Sequence, residues 1–137
     1  MTARAEFLSA TIGLPWAWTE RNCWDFAAHV ELQLFGRVLP HVSVPDDPSW
    51  RWMVSEVSTH AERDKWTEVP PGPHGLITAG DGALVLMGRL NHPGHIGVWL
   101  KPEQRIIHCD RKNGVCFEVV MALQAQGWKK LRFYEPK

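Results

Sequence analysis

The stretch 95-HIGVWLKPEQRIIHC-109 decides the fold. Two short β-branched runs, 95–100 and 105–109, flank 101-KPEQ-104, a polar connection that carries a proline. This pattern predicts two strands joined as an antiparallel hairpin. Successive strand side chains point to opposite faces, so the register decides who meets whom. With Gly97 opposite His108, the residues Ile96, Val98, Leu100, Ile107 and Cys109 share the core face. His95, Gly97 and His108 then share the other face, with the two histidines as diagonal neighbours and no side chain between them. A slip of one residue would part the two imidazoles. The apolar alternation supports the first register without any appeal to chemistry.

Outward from the hairpin, ALVLM (83–87), GVCFEVV (114–120) and KLRFYE (130–135) read as further strands, and 121–126 as a helical turn. The loop 69-VPPGPHG-75 separates them from a helical first half, because neither a helix nor a central strand tolerates those prolines. Residues 3–12 read as a short helix and Gly13 and Pro15 as a turn. From Cys23 to Phe35 the apolar residues recur at helical spacing, with Asn22 as N-cap, Asp25 in the first turn and Gly36 as C-cap. A third helix is expected over 47–61, capped by Asp47, opened by Pro48 and striped by Trp50, Met53, Val54 and Val57. Helices first and strands second predict an α+β fold, N-terminal helices packed on a mostly antiparallel sheet of about five strands.

The 137 residues suit one domain, 1–137, long enough to bury a core without metals or disulfides. Lys plus Arg equals Asp plus Glu, which gives no electrostatic footprint for nucleic acid or an anionic membrane. No apolar run has the length of a membrane span. The start, MTARAEFLSATIGLPW, lacks the basic-then-apolar architecture of a signal peptide, so synthesis in the cytoplasm without a secretion address is expected. The three cysteines are unevenly spaced and read as reduced thiols. Most of the eight tryptophans should be core or groove wall.

Cys23 stands where a polar loop turns into a helix. Unpaired N–H groups and a partial positive charge at a helix start stabilise a thiolate, and Cys109 and Cys116, inside strands, lack that help. The alternative is that Cys23 is a small buried apolar residue. A nucleophilic cysteine needs a base, and the base an orienting partner. His29 lies on another face of the same helix, and His41, His60, His74 and His92 lie in loops or near helix ends. His95 and His108 remain. Cys23 as nucleophile, His95 as proton shuttle and His108 as the group fixing the imidazole form a constellation for acyl transfer, with the Cys23 N–H as an oxyanion donor.

In order and spacing these blocks resemble the NlpC-type cell-wall cysteine peptidases, particularly the small phage-tail branch. The resemblance rests on 22-NCWD-25, preceded by 13-GLPWAW-18 and followed by 35-FGRVLP-40, then on 80-GDGALVLM-87, 95-HIGVWL-100 and 106-IIH-108. It implies a papain-like fold and Cys23, His95 and His108 as the catalytic residues. It also implies hydrolysis of peptidoglycan stem peptides, at the bond between D-glutamate and the diamino acid. A phage or prophage tail-tip component, carried in the virion and acting in the cell wall, would meet that peptide and other tail-tip proteins as partners. Asn22 and Asp25 stand where the family has Asp and Gly. Trp16 and Trp18 occupy the region where many members carry an oxyanion-assisting Tyr. Helix 47–61 corresponds to an insertion between the Cys and His blocks.

This chemistry requires no metal and no cofactor. A rival zinc site would draw on His92, His95, His108, Cys109 and Cys116, but adjacent strand residues such as His108 and Cys109 point to opposite faces. A second rival keeps the fold as a docking module of a tail tip, with Cys23 vestigial and Trp50, Trp52 and Trp66 as the partner surface.

Overall fold

A computed structural model describes residues 2–46, 49, 52, 55, 56, 61–89 and 93–137. Two helices come first, α1 (Ala3–Thr11) and α2 (Cys23–Phe35). Strands β1 (Trp66–Val69), β2 (Leu84–Gly88), β3 (His95–Leu100), β4 (Arg105–Asp110) and β5 (Gly114–Glu118) follow, then helix α3 (Val120–Ala125) and strand β6 (Lys130–Pro136). The six strands form one sheet in the order β1-β6-β2-β3-β4-β5, every neighbouring pair antiparallel. The α+β reading therefore holds at that level, with one strand more than expected.

The additional strand is β1, which pairs with β6 at the sheet edge. Its sequence, WTEV, buries only Trp66 fully and shows no apolar alternation. The 114–120 run ends as a strand at Glu118, because Val119 caps α3. Of the helix expected over 47–61, Trp52, Ser55 and Glu56 are helical. Positions 47, 48, 50, 51, 53, 54 and 57–60, which carry its cap, its opening proline and its stripe, lie outside the described residues, as do 90–92 with His92. Residues 61–65 form a 3-10 turn leading into β1.

The hairpin register is the one that alternation selects: Gly97 pairs with His108 and Val98 with Ile107. Ile96, Val98, Leu100, Ile107 and Cys109 join Cys23, Phe26, Ala27 and Val30 of α2 in one buried cluster. The opposite face of the sheet is closed by a second cluster, in which Val85, Met87, Trp99 and Ile106 meet Leu123, Trp128 and Phe133. Gly97 is required between these layers, since a Cβ there would lie 2.8 Å from Ile106 Cγ2 and 3.0 Å from both Ile107 O and Met87 Cε. At the far edge, Gly13 N donates to Val115 O and Val115 N donates to Leu14 O, so the α1–α2 connection lies along β5.

Candidate active site

Cys23 is the first residue of α2, and its position is set by Asn22. The Asn22 side-chain oxygen accepts from Asp25 N at 2.8 Å, while its Nδ2 donates to Trp18 O at 2.7 Å. Asn22 is buried, so both halves of its amide are needed. An aspartate could fill the cap but not the donation to Trp18. Asp25 is half-buried, and burial raises its pKa. It lines a polar cleft beside the first turns of α2 together with Glu20, Arg21 and His29, and lies 4.0 Å from His41. Its side chain is not the helix cap.

The helix start does not make Cys23 acidic. Burial pushes its thiol up to about 12, against backbone N–H groups of Ile96, Trp24 and Cys23 itself that favour the thiolate. With only 3% of the residue exposed, loss of hydration outweighs the donors. Burial likewise pushes Cys109 up to about 12 and Cys116 up to about 11. The thiolate expected from position alone is therefore not the resting state; Cys23 rests as a neutral thiol.

The expected imidazole pair is formed. His95 Nε2 and His108 Nδ1 are 2.9 Å apart, with the rings edge to face. Both residues are buried. His95 stacks on Trp128 at 4.9 Å, and the Arg89 guanidinium lies over the same indole at 4.2 Å. Burial first, then electrostatic repulsion from the neighbouring His108 ring and from Arg89, hold His95 well below the usual imidazole range. The pair thus lies on the Trp128 face of the sheet, whereas Cys23 packs on the α2 face. Cys23 meets the start of β3 through the backbone N–H of Ile96, the residue after His95, which favours its thiolate.

Behind His108 stands a residue that sequence reasoning missed. Glu118 Oε1 is 3.3 Å from His108 Nε2, and its other oxygen accepts from Gln126 Nε2. The hydrogen bond to His108 holds the Glu118 carboxyl below its usual range, so it is ionised at neutral pH. A carboxylate only accepts, so His108 Nε2 carries the proton and donates to it. When both imidazoles are neutral, His108 Nδ1 is then an acceptor, and His95 Nε2 donates to it. This leaves the lone pair of His95 on Nδ1, the tautomer a base requires. Glu118 is the diagonal partner of His108, since His108 pairs with Cys116 two residues before it. The diagonal rule that joined the two histidines, applied once more to 114–120, would have found it.

Trp16 and Trp18 pack edge to face at 4.6 Å under the guanidinium of Arg111, which lies 5.8 and 5.2 Å from their rings. Trp52 approaches Trp18 at 6.4 Å, and Trp66 is buried in the α2-side cluster, as a core tryptophan and not a docking surface. Of the residues offered for zinc, Cys109 faces the α2 side and donates to Arg21 O, away from His108. No helix among the described residues is long and apolar enough to cross a membrane. Comparison with known proteins finds no matching family model and no matching curated protein.

Proposed function

We propose that this chain is a papain-like cysteine peptidase or amidase of the NlpC type that hydrolyses peptidoglycan stem peptides, as a phage or prophage tail-tip component aiding cell-wall penetration. The observation that most supports this reading is the Glu118–His108–His95 relay, whose last member precedes Ile96, the residue whose backbone N–H favours the Cys23 thiolate. In this mechanism the Cys23 sulfur attacks the peptide carbonyl carbon while its proton passes to His95 Nδ1. Thiol and imidazole both start neutral, so deprotonation accompanies attack and no preformed ion pair is used. His108 and Glu118 stabilise the imidazolium that forms, and the Cys23 N–H donates to the oxyanion. The imidazolium then protonates the leaving amine, the C–N bond breaks, and water activated by His95 hydrolyses the thioester to a carboxylate and free thiol. Trp16 and Trp18 serve as groove wall. The protein is made in the cytoplasm, carried in the virion tail and active in the cell wall.

The test is mass spectrometry of muropeptides from purified sacculi treated with the reduced protein and with Cys23→Ala. New peptide termini should appear with the wild type alone. Their absence with folded, reduced wild type would falsify the peptidase reading. The deep burial and high pKa of Cys23 favour a second reading, a tail-tip assembly protein that keeps the fold without turnover. Stable association with tail-tip proteins, unaffected by Cys23→Ala, would select it.

A further inference from the structure

On the same sheet face as the imidazole pair, β4 and β5 bring three ligand types together. One donor atom each from His108, Cys116 and Glu118 lies within 4.8 Å of the others. Their convergence follows from register, because Cys116 is directly opposite His108 and Glu118 is two residues on. Cys116 and Glu118 are half-buried on the edge strand, which leaves a side of the cluster open, while His108 is buried behind them. An imidazole nitrogen, a thiolate and a carboxylate suit Zn2+, with water in the fourth position. A zinc-bound histidine ordinarily donates its other ring N–H to a partner that fixes its orientation, and His108 Nδ1 already faces His95 Nε2 at 2.9 Å.

We propose that His108, Cys116 and Glu118 form an inhibitory site for a borderline-soft divalent cation, best matched by Zn2+. The inhibition rests on the peptidase reading; the binding does not. Zinc on His108 Nε2 moves that ring's proton to Nδ1, which then donates to His95 Nε2. His95 is left with its own proton on Nδ1, and the lone pair that would receive the Cys23 proton is gone. The metal therefore reverses the direction of the relay without touching the thiol nucleophile. The balance is simple: the two imidazoles keep their protons but exchange tautomers, Glu118 is already ionised, and the Cys116 thiol releases one proton per zinc bound.

The test uses the purified, metal-stripped full chain. Zn2+ is titrated against a chromophoric chelator, proton release is read from the buffer dependence of the binding heat, and Co2+ replaces Zn2+ for absorption. One ion per chain, one proton released, a thiolate-to-cobalt charge-transfer band and loss of hydrolysis are expected. Cys116→Ser should hydrolyse normally without metal, lose the band and need at least about tenfold more zinc for half-inhibition. Cys23→Ala should keep both the band and the affinity, which separates this site from the nucleophile. Should Cys116→Ser fold poorly, Glu118→Gln must show the weakened binding instead. Equal zinc affinity and proton release in wild type and the ligand variant overturn the proposal. If no chain hydrolyses peptide, Cys116-dependent zinc uptake still establishes the site, and only the peptidase reading falls.

Discussion

At the scale of single residues, the site is governed by partners that local sequence does not display. Asn22 was legible as an N-cap because a short polar residue preceded a helical apolar pattern. Its second task, donating to Trp18 O, was not, since that contact depends on how the 13–21 loop folds back. The thiol shows the same divide: its place at the helix start could be read, but burial, which reverses the expected acidity, is a property of the packed structure. Glu118 sharpens the point. It sits in an apolar strand run where a carboxylate looks like a surface residue, yet it fixes the tautomers of two buried histidines. Glu118→Gln keeps a side chain of the same shape but can donate as well as accept, so the tautomer is no longer enforced. On the proposed peptidase reading, this variant should lower kcat by roughly 10 to 100-fold, the range for a group that acts through another, with KM little changed. Imidazole nitrogen NMR shifts should show His95 divided between tautomers. A loss confined to KM, or unaltered shifts, would contradict the role.

At the scale of elements, β3 and β4 were readable because they are short apolar runs, rich in β-branched residues, on either side of a polar turn, and both of their faces are buried. Strand β1 was not, because its partner β6 lies far along the chain and supplies the pairing that WTEV does not advertise. The β3–β4 register also tolerates little change at Gly97, whose missing Cβ is replaced in space by Ile106, Met87 and a backbone oxygen. Gly97→Ala should therefore destabilise the fold by about 1–3 kcal/mol, the usual cost of overpacking. Chemical denaturation measures this directly. A neutral effect would mean that the sheet relaxes around the methyl group, and with it the spacing of the histidines.

For the whole molecule, the balance of charge conceals one costly burial. Glu31 of α2 is fully buried; Arg37 donates to its Oε1 at 2.9 Å, while Oε2 has no hydrogen-bond partner among the described residues. Burial raises its pKa from 4.5 to about 7, despite Arg37. The folded state thus binds more protons than the unfolded chain between these two values, and stability falls as pH rises through that window. The loss should be on the order of 3 kcal/mol, read as a lower urea midpoint at pH 7.5 than at about pH 5. Glu31→Gln should remove most of that dependence, and an equal slope in both proteins would refute the assignment. The α+β class was legible from the order of helical and alternating segments; this buried acid was not, since a carboxylate reads as a surface residue even where, four residues after Ala27, its spacing puts it on the buried side of α2 with Phe26 and Val30. The α1–α2 connection along β5 has a consequence of another kind. An open sheet edge is a template on which stray chains can assemble into fibres. By taking both polar groups of Val115, residues 13 and 14 occupy part of that template themselves. The protein's own loop thus stands where a second copy would otherwise begin to stack, so the same few residues that fasten the outer strand also help keep crowded copies apart.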